Sequence, residues 1–222
     1  MSTEKNSFWL NILIVFALLS VLWIVQIAQY YLLVDLSSYG NWPHHIEGLK
    51  GIIFSPFIHG SFDHLASNTL PMLVLLTVLL NAYPRTALMV LVFVHLLSGI
   101  LVWLFAPDTG VHIGISGIIY GIAAFLVASG IFRKDRTSVS IAILVGLVYG
   151  SMVWGFIPQH GISWQSHLYG TFSGVIIAFI LRRRDLPEPT ETELEKTEED
   201  RHFFDTSIHS KESGEPKILN NE

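Results

Sequence analysis

Three clusters of polar residues stand inside otherwise apolar sequence: His59-Gly60-Ser61-Phe62-Asp63-His64 with Asn68, Gly114-Ile115-Ser116-Gly117, and Ser163-Trp164-Gln165-Ser166-His167 with Gly170. A serine hydroxyl becomes a nucleophile when an imidazole within hydrogen-bond reach can take its proton, and Ser116 with His167 are the residue types for that pair. Donors aimed at a developing alkoxide stabilise a tetrahedral intermediate. His64 and Asn68, four apart on one helical face, can aim at a single point, and the Ser116 N–H at a helix start adds a third donor. No intramembrane Asp or Glu is placed to orient His167, so the spacing predicts a Ser-His dyad rather than a triad. Asp63, at the mouth of its span, is the nearest carboxylate. Tyr120, one turn after Ser116, lies on the serine's face and can stack on the His167 ring. Gly-x-Ser-Gly alone in an apolar helix is more often a packing motif, so the weight rests on the combination. His59 and His64 have no His-Glu-x-x-His motif and no accompanying carboxylate, which disfavours a metal centre. With no cysteine in the chain, thiolate metal sites, disulfides and a cysteine nucleophile are excluded. No metal, cofactor or nucleic-acid partner is expected.

These side chains must be positioned by membrane-spanning elements. The 222 residues are 51% hydrophobic and only 14% charged, outside the range of ordinary soluble domains. A helix crossing the hydrocarbon core needs about 20 apolar residues. Six segments qualify, at about 8–34, 63–81, 84–105, 114–132, 137–156 and 163–182. The first is too long for a signal-peptide core and is read as a retained span. Residues 1–7 precede it, and the catalytic body is expected over 8–184. The 35–62 loop is long enough to be expected as functional or partly embedded. His44, His45 and His160 are expected to face solvent, and His112 is expected in a loop or among lipid headgroups. His95 has no partner evident from sequence. Trp and Tyr near the span ends read as interface anchors. From 185 to 222 the chain is rich in Glu, Thr and Pro, with Phe203-Phe204 its only apolar punctuation, and is expected to be a disordered acidic tail.

The net charge of −5 belongs to that tail, which carries four basic and twelve acidic residues, whereas residues 1–184 carry nine basic and six acidic. With six spans, every basic residue of the body except Lys50 falls on one side, so both termini are expected in the cytoplasm. Spans two, four and six then run inward from the outer face. They place His64 with Asn68, Ser116 and His167 at one depth, about one to two turns below that surface. Small residues would let the helices meet there: Gly117 and Gly121 follow Ser116, and Gly170 and Gly174 follow His167, each pair at a GxxxG interval.

At these residues the six-span body resembles the rhomboid family of intramembrane serine proteases. The shared pattern is HxxxxHxxxN in the second span, GxSG in the fourth, and a histidine before GxxxG in the sixth. The resemblance implies an all-α six-helix membrane bundle with Ser116 as nucleophile and His167 as general base. It implies His64 and Asn68 as oxyanion contributors, His59 as a residue holding the first loop, and Tyr120 as the partner stacked on the base. Gly114, Gly117, Gly121, Gly170 and Gly174 are its supporting small residues. The chain departs from the family at Lys50-Gly51, where a Trp-Arg pair is frequent, which bears on the anchoring of the first loop and not on the chemistry. It also has Tyr169-Gly170 where Gly-Gly is frequent, and Tyr169 points to another face.

The reaction implied is peptide-bond hydrolysis in or beside transmembrane segments of membrane-protein substrates, through an acyl-enzyme. A helix hides its carbonyls in hydrogen bonds, so substrates are expected to unwind readily near the outer face, with small residues at the cleavage point. Span five with the 157–162 cap would form the substrate gate by resemblance. A catalytically silent rhomboid-like chaperone or binding protein is the alternative, disfavoured by the presence of both Ser116 and His167. A proton-relaying transporter predicts polar residues through the full depth, whereas the inner halves of spans two, four and six turn apolar or small. The form of the chain is expected of a prokaryotic plasma-membrane protein.

Overall fold

The computed structural model describes residues 2–159, 161–185, 198–199 and 201, with side chains from Ser7 onward. The chain divides into two units, residues 1–186 and residues 187–222. The expected acidic tail, including Phe203-Phe204, and His160 lie almost wholly outside the described residues. Asp185, expected to begin that tail, belongs to the body. Its carboxylate accepts from the Thr86 hydroxyl at 2.5 Å and from the Arg85 N–H at 3.2 Å, closing the turn between two helices.

Among the described residues there is no strand, only isolated bridges at Asn41–His112 and Gln159–Ile162. The long helices are α1 (Ser2–Leu32), α3 (Phe62–Ala82), α4 (Ala87–Phe105), α5 (Ser116–Arg133), α6 (Arg136–Tyr149) and α7 (Trp164–Ile180); α2 (Gly51–Phe54) is a single turn. Helix starts fall where local chemistry caps them. Ser61 Oγ accepts from His64 N at α3, Asp135 Oδ1 from Ser138 N at α6, and Ser163 Oγ from Ser166 N at α7. Helix α6 tightens into a 3₁₀ turn over Gly150–Phe156, so the fifth apolar segment is not one regular helix. Among the described residues five segments are long and apolar enough to cross a membrane, counting α6 with its 3₁₀ extension as one. Helix α7 has 17 residues, a rise of about 25 Å.

Helix α5 occupies the middle, touching α3, α4, α6 and α7, while α1 packs mainly on α3. The core is aliphatic: Leu75, Leu79, Val90, Val94, Ile122, Leu126 and Phe125 are almost fully enclosed. Large apolar side chains such as Leu13, Ile24, Leu88 and Leu147 are exposed around the outside, as bilayer-facing positions are.

The loop between α1 and α3 is ordered by short 3₁₀ turns and by hydrogen bonds to the α4–α5 side. Asn41 exchanges both backbone bonds with His112 and sends its amide to Gly99 O at 2.8 Å. Trp103 Nε1 donates to His45 O at 2.8 Å. Trp42 Nε1 and His45 Nε2 both reach Asp108, at 2.7 and 2.9 Å, with the Trp42 and His45 rings stacked 3.7 Å apart. These two hydrogen bonds, His45's the larger effect, hold the exposed Asp108 carboxyl below the usual carboxylate range. His45 is thus paired rather than simply solvated. Gly51, where the family often has arginine, lies where a Cβ would sit 2.1 Å from Gly40 O. The loop crosses itself at that point, which only glycine permits. His95 of α4 lines a small cleft together with Ile52 of the loop between α1 and α3.

Candidate active site

The approach to α5 is a turn that requires glycine. Gly114 has φ +104°, and a Cβ there would lie 2.8 Å from the His64 ring. Its N–H donates to Ser55 O at 2.9 Å, and the next N–H, of Ile115, points to His59 Nε2 at 3.4 Å. Helix α5 then begins at Ser116 with no side-chain cap, so its first N–H groups have no intrahelical acceptor.

The structure brings Ser116 and His167 together, both almost fully buried, with His167 Nε2 2.9 Å from Ser116 Oγ. The glycines explain how side chains this short can meet. A Cβ on Gly170 would lie 2.0 Å from Gly117 O, and one on Gly174 would lie 2.1 Å from Gly121 O. Backbones of α5 and α7 therefore touch at two successive levels, and any larger residue would push the serine away from the imidazole. Gly121 also receives Val94 of α4, whose Cγ1 would be 2.2 Å from an added Cβ.

Tyr120 stacks on His167, centroids 4.0 Å apart and planes 4° from parallel. The other imidazole nitrogen, Nδ1, lies 2.8 Å from the carbonyl oxygen of Gly155. A carbonyl only accepts, so this bond places the proton on Nδ1 and leaves the Nε2 lone pair for the Ser116 hydroxyl. No residue motif announces a backbone acceptor, and sequence reasoning missed it; the glycine at 155 is the only trace it leaves.

A cavity of about 390 Å³ is lined by Ser116, His167, His64, Asn68, Asp63, Ser67, Tyr120 and Met152. Asn68 is buried, and its Nδ2 has no hydrogen-bond partner. An unspent buried donor costs free energy unless something else uses it. His59 stands one layer behind. It is 2% exposed, packs edge-to-face on His64 with centroids 5.0 Å apart, and touches the turn before α5 rather than the cavity. Burial, and then the His64 charge, push the His59 imidazole down to about 4, so it is neutral near pH 7.

His112 lies in the loop before α5 and is 8% exposed. Its Nδ1 meets Ser163 Oγ at 2.5 Å, and Ser163 Oγ meets Ser166 Oγ at 2.6 Å. This network ties the strand of chain entering α5 to the cap of α7, and burial pushes the His112 imidazole down to about 4. The polar cluster from Ser163 to His167 was readable in the sequence; the histidine that joins it from the segment before α5 was not.

Comparison with known proteins gives a family model and four curated relatives. The Rhomboid domain model matches residues 47–184. The chain is 35% identical over 150 residues to uncharacterized proteins of Mycobacterium bovis and Mycobacterium tuberculosis, covering 63% of this chain and 62% of each relative. An uncharacterized protein of Mycobacterium leprae is 36% identical over 144 residues, covering 60% of this chain and 56% of the relative. The chain thus spans about three fifths of the length of the curated relatives it matches.

Proposed function

The chain belongs to the rhomboid family of multi-pass membrane proteins, and from that premise we propose that it is an intramembrane serine endopeptidase cutting peptide bonds in or next to transmembrane segments. The observation that carries this reading is the 2.9 Å contact between His167 Nε2 and Ser116 Oγ, made in the tautomer a general base requires. Ser116 Oγ attacks the scissile carbonyl while its proton passes to His167 Nε2. The negative oxygen that forms is met by Asn68 Nδ2, the Ser116 N–H and His64. His167 then returns its proton to the leaving amine, and water, activated by the same imidazole, hydrolyses the acyl-enzyme.

A bilayer interior offers a peptide neither water nor an exposed carbonyl. The cavity supports the reading because polar side chains line it among apolar helices, giving water and an unwound segment a place to meet the serine. Substrates are therefore membrane proteins whose helices unwind near the site. By the distribution of basic residues the termini lie in the cytoplasm and the site opens toward the outer face of the membrane.

The test is cleavage of a generic transmembrane substrate by the purified protein, alongside Ser116→Ala and His167→Ala. Each substitution should lower turnover by at least about 10³-fold. Ser116→Ala should also abolish labelling by a fluorophosphonate. Cleavage that survives either change, or labelling that persists without Ser116, would sink the assignment. A folded protein with no turnover at all would favour the catalytically silent alternative.

A further inference from the structure

The 3₁₀ turn Gly150–Phe156 makes three contacts with the site, and all converge on one imidazole. Gly155 O accepts from His167 Nδ1 at 2.8 Å, and Met152 O accepts from the Tyr120 hydroxyl at 2.7 Å. Phe156 packs on the Tyr120 ring with centroids 5.5 Å apart. Tyr120 in turn lies flat on His167. The base is therefore held at one edge and on one face by groups seated on, or bonded to, the same turn. No side chain fits at 155, where a Cβ would lie 1.9 Å from the Tyr120 hydroxyl oxygen and 3.0 Å from His167 Nδ1. In the α6 segment that carries this turn only 6% of the apolar stretch consists of buried residues, against 67% for α5.

We propose that the Gly155 carbonyl is the positioning acceptor that fixes His167 as a base, standing where a triad has its carboxylate, and that seating of the α6 turn is a condition of activity. The geometry is independent of the protease reading, and the consequence for activity rests on it. With the turn seated, the Ser116 proton moves to Nε2 as the Oγ–carbon bond forms, and Nδ1–H stays donated to Gly155 O. With the turn lifted, Nδ1 loses its acceptor and the Nε2–H tautomer becomes available. That tautomer has no lone pair facing Ser116 and cannot take its proton. A loosely held segment beside the cavity thereby controls the chemistry as well as access: a substrate that displaces it is cut only after it reseats.

The tautomer can be read directly by ¹⁵N NMR of imidazole-labelled protein in micelles, with His167→Ala assigning the signal. The wild type should show a protonated Nδ1 and a bare Nε2 at neutral pH. Gly155→Ala should mix the tautomers and lower kcat by about 100-fold, the order seen when a catalytic group is displaced by about 1 Å, with KM changed by less than about threefold. Gly155→Ala should keep its helix content and unfold cooperatively in detergent, which separates a displaced acceptor from a misfolded protein. An Nε2–H tautomer in the wild type, or an unchanged tautomer in a folded Gly155→Ala, overturns the proposal. If the protein cleaves nothing, the protease reading fails and the spectrum still decides whether Gly155 sets the tautomer.

Discussion

Helices α5 and α7 meet backbone to backbone, with glycines nested against carbonyls at two levels, whereas α6 leaves most of its surface outside the bundle. The first pairing can hold one distance, between Ser116 and His167, because it has no slack. The second has room to move: Gly146 and Gly150 of that segment have nothing within 4 Å of an added Cβ, and Leu147 is 80% exposed. Both regions touch the same imidazole, one through Ser116 and one through Gly155. The difference teaches that the imidazole is held from two sides of unequal stiffness, by closely packed helices on one and by a loosely packed segment on the other.

The comparison breaks most visibly at Gly170. Gly170→Val puts branched carbon where the Gly117 carbonyl already lies. It should lower the unfolding temperature in detergent, by overpacking of about 1–3 kcal/mol, and remove cleavage by at least about 100-fold. Retention of both would mean that glycine contact does not set the distance.

Asn68→Ala asks instead for a loss of chemistry without a loss of packing. Its Nδ2 bonds nothing in the structure, so its removal should leave the unfolding temperature nearly unchanged. Turnover should fall by about 10²–10³-fold if that donor serves the oxyanion. Equal losses of stability and activity would make Asn68 a structural residue.

The next expected effect is on pH. His59 and His112, outside the long helices, are held neutral with values near 4, against 6.5 for a free imidazole. Above 6.5 both folded and unfolded chains leave them uncharged, so stability is insensitive to these groups. As pH falls from 6.5 toward about 4 the unfolded chain takes up protons that the folded one does not, and stability declines. Unfolding temperatures measured across that window should drop with acid. His112→Gln should make the decline shallower, and an unchanged slope would remove His112 from the account.

The smallest effect sharpens the comparison from the loose side. Gly146→Ala adds a methyl group that meets nothing. Stability should stay within about 0.5 kcal/mol and cleavage within about twofold of wild type. A large loss would show that α6 packs more closely during turnover than at rest.

Much of this was legible in advance because it is local. Apolar runs of helix length and glycines at GxxxG intervals are read one turn at a time. The 33–61 loop was legible only as something long, since its order comes from partners such as Gly99, Trp103 and Asp108 that lie about 60 residues away in sequence. The burial of His112 and the contacts of Asp185 with Arg85 and Thr86 were not legible for the same reason: burial and capping by a distant segment have no local pattern.

The sequence by itself determined the helices, the family pattern and the residue types available for catalysis, since these depend on periodicity and side-chain chemistry. Only the tertiary structure decided which nitrogen of His167 faces Ser116. That choice is made by a backbone carbonyl, a group every residue carries and no sequence position advertises.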